Sequence, residues 1–108
     1  MDRIVRLGIE SVKLVGVARV VKLPRRWLAE YGLEIGRPLY TALALDDCIR
    51  VHLTPKTWTT QVKVRRISGA AHVTLLKEYV EALGLKIGDK MWVDVDLDSG
   101  VLLLRRAV

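Results

Sequence analysis

Hydrophobic and polar positions alternate over much of the chain. Met91-Trp92-Val93-Asp94-Val95-Asp96-Leu97 is apolar at every second place, the pattern of a half-buried strand. Asp98-Ser99-Gly100 supplies turn chemistry, and Val101–Leu104 returns. The same order of segments occurs earlier, ending at an Asp46-Asp47 turn and a return strand Cys48–Leu53. Upstream of each hairpin the pattern predicts two strands: Glu10–Val15 and Val20–Leu23 in the first instance, Val62–Ile67 and His72–Leu75 in the second. Small-residue turns join each pair, at Gly16 and Ala18 and at Ser68-Gly69-Ala70-Ala71. A short helix follows. The first opens at Pro24, where the missing N–H costs nothing, and stops at Gly32; the second covers Lys77–Leu83 and stops at Gly84. Between the two glycines that follow each helix, alternate Leu and Ile (Leu33 and Ile35, Leu85 and Ile87) predict a tight corner with apolar side chains turned inward.

This recurrence is an internal duplication. A shift of 52 residues aligns Val12–Leu53 with Val64–Arg105 without a gap. The identical pairs are Val12/Val64, Ala18/Ala70, Val21/Val73, Leu23/Leu75, Gly32/Gly84, Leu33/Leu85, Ile35/Ile87, Gly36/Gly88, Leu45/Leu97 and Asp46/Asp98. They are glycines, turn residues and core-type residues, those whose geometry or packing is hardest to replace. A single copy is too small to bury a core. One domain over residues 1–108 is therefore expected, with a first motif at 10–53, a Thr-rich linker at 54–61 and a second motif at 62–106, both copies giving strands to one barrel.

Ala18–Gly36 and Ala71–Lys90 resemble the signature of the SpoVT/AbrB-like swapped-hairpin family: a strand ending in Pro, a basic residue, a short helix, then Leu-Gly-hydrophobic-x-x-Gly-Asp and a hairpin. Leu76 stands where Pro is usual in the second copy; in the first, Arg37 stands where Asp is usual, and Tyr31 precedes Gly32 in place of the usual Leu. The two resemblances cover about four fifths of the chain. They imply a mostly β fold with two short helices, an AbrB-like swapped-hairpin β-barrel that dimers build from two chains and that two fused motifs build here as an intrachain pseudo-dimer. They also imply binding to double-stranded DNA, as a transcriptional regulator, without a cofactor.

Composition and charge bear on this reading. The chain has 108 residues, a net charge of +6 and a pI near 9.8, and 51% of its residues are hydrophobic, enough for a core. It has no Phe and no Asn, and Gln61 is its single Gln; depletion of amides beside many ion-pair formers hints at a hot habitat. One cysteine, Cys48, excludes an intramolecular disulfide and a Cys-based zinc cluster. No apolar run approaches the roughly 20 residues of a membrane span, and the N-terminus lacks a signal-peptide pattern, so no membrane association and a cytoplasmic location are expected.

The cations are segregated. Ser11–Arg26 contains Lys13, Arg19, Lys22, Arg25 and Arg26 with no acid; Lys56–Lys77 contains Lys56, Lys63, Arg65, Arg66 and Lys77, again with no acid. Lys13/Arg65 and Arg25/Lys77 are equivalent under the repeat. Such a pseudo-two-fold array suits the duplex backbone. The candidate DNA-contacting residues are Lys13, Arg19, Lys22, Arg25, Arg26, Lys63, Arg65, Arg66, His72 and Lys77. The alternative is a protein-interaction module, antitoxin-like or a regulatory subunit, using the same barrel; only three residues follow the second copy, little room for an antitoxin's tail. Further pairing into a homodimer is left open. Enzymatic chemistry has little to draw on. His52 and His72 share no metal-ligand spacing, no Gly-rich phosphate loop is present, and Asp94, Asp96 and Asp98 are expected on one exposed strand face. Trp27/Tyr79 and Tyr40/Trp92 recur at equivalent places, which favours packing over base stacking.

Overall fold

The computed structural model describes residues 3–34 and 36–107. Eleven elements follow in order: β1 (Ile4–Ser11), β2 (Lys13–Val15), β3 (Ala18–Lys22), α1 (Arg25–Glu30), β4 (Pro38–Leu43), β5 (Cys48–His52), β6 (Thr60–Ile67), β7 (Ala70–Leu75), α2 (Lys77–Leu83), β8 (Lys90–Asp96) and β9 (Leu102–Arg106). All strands join one antiparallel sheet in the order β1-β8-β9-β5-β4-β6-β7-β3-β2. The protein is therefore mostly β, and the sheet curls until β1 meets β3.

Ladders β1–β8, β3–β7, β4–β6 and β5–β9 each join a strand from the first half of the chain to one from the second. The links are reciprocal. Val12 N–H donates to the Asp89 carbonyl and Gly88 N–H to the Val12 carbonyl, both at 2.8 Å; Gly36 N–H donates to the Val64 carbonyl at 2.8 Å and Val64 N–H to that of Arg37 at 3.1 Å. Val21, Val64 and Val73, on neighbouring strands, and Val12, between β1 and β2, face one core with Leu39, Ile49, Val51, Met91, Val93, Leu102 and Leu104. Burying each such side chain contributes about 1.5–3 kcal/mol, and much of that burial depends on both halves being present.

Several sequence expectations change. The first strand begins at Ile4, well before Glu10, because β8 offers its edge to the whole segment; β6 likewise begins at Thr60, inside the expected linker. A bulge between Arg6 and Gly8 accommodates Leu7, so Arg6 lies opposite Asp94. Pro24 is extended (φ −65°, ψ 130°) and precedes the helix, which starts at Arg25. Ile87 is exposed, not inward, while Leu85 is buried; Ile35 lies outside the described residues.

The offset of 52 also fails after the second hairpin turn. Leu43 pairs with Ile49, but Val95 pairs with Leu102. The buried residues of the return strands, Ile49 and Val51 against Leu102 and Leu104, thus correspond at 53. The second turn holds one more residue and ends at Gly100, with φ 75° in the left-handed region, where the first ends at Asp47, φ 60°.

Candidate nucleic-acid interface

Side chains alternate across the β6-β7-β3-β2 part of the sheet. Val64, Val73, Val21 and Val12 point to the core. One residue along, the opposite face carries the row Lys63–Thr74–Val20–Lys13, and beside it Arg65–His72–Lys22. The register of Lys63 with Thr74 follows from the Val64↔Val73 pair. Lys13, Lys63 and Arg65 are exposed, and Lys22 is half-buried. Lys63 and Arg65 are about 7 Å apart along β6, and Lys13 and Lys63 stand about 14 Å apart across three strand spacings.

Two grooves of about 530 Å³ each open at the hairpin ends, where strand residues of the core side, Val64 and Arg66 in one and Arg19 and Leu75 in the other, come to the rim. One lies between the β6–β7 turn and α1, lined by Lys22, Arg25, Leu28, Arg66 and Gly69, with Glu34 at its border. The other lies between the β2–β3 turn and α2, lined by Val17, Arg19, Leu76, Lys77 and Val80. A third, of about 280 Å³, brings Arg6 and Glu10 to Lys22, Arg25 and Arg26. Both helices are held by packing against the core, α1 with its C-cap through Trp27, Leu28 and Tyr31 and α2 through Tyr79, Val80 and Leu83. Helices of six and seven residues do not persist alone, and Trp27 in α1 and Val80 in α2 are buried.

Not every candidate stands free on the surface. His72 is 2% exposed; its Nδ1 lies 3.0 Å from the Ala70 carbonyl, and Nε2 is buried without a protein partner. It underlies the face between Arg65 and Lys22. Arg19 is half-buried, with Nε buried and unpartnered. Lys77 stands 3.9 Å from Glu81. Lys13, Lys22, Arg25, Arg26, Lys63, Arg65 and Arg66 form no ion pair with a described carboxylate.

The opposite side of the strand order contrasts. Around β8, β9 and β5 the arginines are engaged: Arg3 with Asp98 at 2.7 Å, Arg6 with Asp94 at 3.0 Å, Arg50 and Arg105 with Asp46 at 3.8 Å, and Arg106 with Asp89 at 3.5 Å. Asp94, expected on an exposed face, is only 4% exposed, because β1 covers it; Arg6 also stacks its guanidinium 3.9 Å above the Trp92 ring. Asp96 caps the Asp98 N–H. Among the described residues no cluster of three His, Cys, Asp or Glu is placed to hold a metal.

Burial raises the Cys48 thiol above its ordinary range, with Asp46 adding to the shift and Arg105 opposing it. Burial, then the charges of Lys56 and Arg50, lowers His52. Trp27 and Tyr79 pack inward; Trp27 Nε1 donates to the Gly100 carbonyl at 2.8 Å and Tyr79 Oη to that of Thr41 at 3.1 Å. Among the described helices none is long and apolar enough to cross a membrane.

Leu14 and Val17, apolar residues inside a basic segment of the sequence, are both exposed on the β2–β3 hairpin. The repeat marks both, aligning Leu14 with Arg66 and Val17 with Gly69. No protein-family model, curated protein or solved structure matches the chain.

Proposed function

We propose that the protein binds double-stranded DNA through the exposed cations of β2 and β6, the ends of the β2–β3 and β6–β7 hairpins and the flanking helix starts, as a regulator of transcription. The observation that carries this is a cluster of cations, Lys13, Lys22, Arg25, Arg26, Lys63, Arg65 and Arg66, without a described carboxylate partner, while the arginines around β8, β9 and β5 are ion-paired; Arg37, Lys56, Lys86 and Lys90 are also unpaired but lie outside the cluster. An unpaired cation meets a phosphate at the expense of its counterions alone, whereas a paired one must first lose its carboxylate. In the same reading the fold is an AbrB-like swapped-hairpin barrel closed within one chain. Four ladders between the halves and the reciprocal bonds at Val12 and Val64 support it. The alternative, a protein-interaction module on the same barrel, draws on the exposed apolar tips Leu45 and Leu97. Fluorescence anisotropy with a labelled duplex across a salt series tests the reading. It predicts affinity that falls linearly in log–log form as salt rises; absence of binding at low salt overturns it.

A further inference from the structure

The two halves of the basic face have hairpins of equal length but different turn backbones and different chemistry. The β2–β3 and β6–β7 hairpins each turn through two residues, Gly16-Val17 and Ser68-Gly69. Ser68 and Gly69 both have positive φ (52° and 80°), the mark of a type I′ turn. In the other turn only Gly16 does (61°), as in type II′, which leaves the second position open to a side chain. Val17 fills it and is 95% exposed. Leu14, 52% exposed, stands where the other hairpin has Arg66.

The helices differ in the same sense. α1 opens with Arg25-Arg26, and neither is ion-paired to a described carboxylate; α2 opens with Lys77-Glu78, and Lys77 is drawn to Glu81. The β6–β7 hairpin with α1 presents Lys22, Lys63, Arg65, Arg66, Arg25 and Arg26 against Glu30 and Glu34. The β2–β3 hairpin with α2 presents Lys13, Arg19 and Lys77 against Glu78 and Glu81. A homodimer must present one tip twice and reads a palindrome; a fused chain is free of that constraint.

We infer that the protein engages a non-palindromic duplex in one orientation: the β6–β7/α1 half holds phosphates, and the β2–β3/α2 half brings Val17 to a thymine methyl in the major groove. The inference rests on the DNA-binding reading and adds the inequality of the halves. The major groove admits a two-stranded ribbon, and the thymine methyl is its apolar feature. A valine at a hairpin tip, a place where polar or glycine residues prevail, has nothing to cover in its own molecule.

The test is selection of bound sequences from a random duplex pool with the whole chain, followed by replacement of thymine by deoxyuridine in the selected site, which deletes the methyl alone. A site lacking inverted-repeat symmetry is expected. One half of it should lose about fourfold in affinity for the methyl that Val17 covers. The Val17→Gly variant, which takes the residue found at the equivalent turn position, should bind the thymine duplex about fourfold more weakly and be insensitive to the deoxyuridine exchange. An inverted repeat with equally sensitive halves overturns the inference, as does a methyl effect unchanged in Val17→Gly. Salt-dependent duplex binding with no enriched sequence overturns it too, while leaving the DNA-binding reading standing. No duplex binding at all removes that reading, and the inference with it.

Discussion

Trp27 and Gly100 are joined across the repeat: the indole N–H of the first helix donates at 2.8 Å to the carbonyl at the end of the second hairpin turn. The ring of Tyr31, one helical turn on, lies against the same glycine. A Cβ built on Gly100 would meet Tyr31 Cζ at 2.7 Å, and its φ of 75° is one that L side chains rarely adopt. The extra residue of the second turn is thus the dock for α1. Gly100→Ala should destabilise the protein by about 1–3 kcal/mol through backbone strain and displacement of Tyr31. Trp27→Phe should cost a similar amount, about 1–3 kcal/mol, by leaving a buried carbonyl unpaired. Urea unfolding with an unchanged m-value checks both.

Arg6→Ala should expose a second long-range tie. It leaves the buried Asp94 carboxylate without its guanidinium and uncovers Trp92. Because half of the Arg6 side chain is in solvent, the expected loss is moderate, about 1–2 kcal/mol. A double-mutant cycle with Asp94→Asn should return a coupling energy well above zero.

The salt dependence of DNA binding separates local contact from net charge. Lys13→Ala/Arg25→Ala/Arg65→Ala should flatten the slope of log affinity against log salt by about 3, at about 0.9 per phosphate. Affinity should fall on selected and random duplexes alike. Arg3→Ala/Arg50→Ala/Arg106→Ala removes the same charge from the ion-paired side and should leave the slope nearly unchanged. Equal slopes for the two triple variants would place the contacts elsewhere.

His52 gives a pH dependence of known sign. Its folded-state pKa lies below the ordinary 6.5, chiefly through burial and then Lys56 and Arg50. The unfolded chain therefore binds more protons between the two values, and stability falls as pH drops through about 6.5, the loss being complete below the folded-state pKa. His52→Gln should remove that part of the acid sensitivity in melting experiments from neutral to mildly acidic pH.

Cys48, buried and with its thiol raised by desolvation, is protonated at neutral pH and out of reach of reagents. Alkylation by iodoacetamide should follow the opening of the structure and accelerate in urea along the unfolding curve. Rapid labelling of the native protein would contradict this placement.

The repeat, the order of strands and helices within each copy, and the separation of cations from acids are legible in the residue order alone. These are local properties: alternation fixes which face of a strand is apolar, and Gly32 and Gly84 each stop a helix. The core valines 12, 21, 64 and 73 could be read from position alone. Tertiary structure decided which strands pair. Alternation in β1 says nothing of β8, and Ile4–Ile9 has meaning only as the partner of that edge. For the same reason the burial of Asp94 beneath Arg6 escaped the pattern, which marks it as a polar, outward residue. The shift from 52 to 53 after the second turn was hidden because Val101–Leu104 is apolar throughout, so neighbouring registers look alike until Ile49 and Val51 choose Leu104 and Leu102. At the candidate interface the chemistry of each residue was legible, but accessibility was not. His72 sinks below the face while Val17 stands clear, because burial depends on neighbours distant in the chain, and in this fold half of the strand ladders join the two copies.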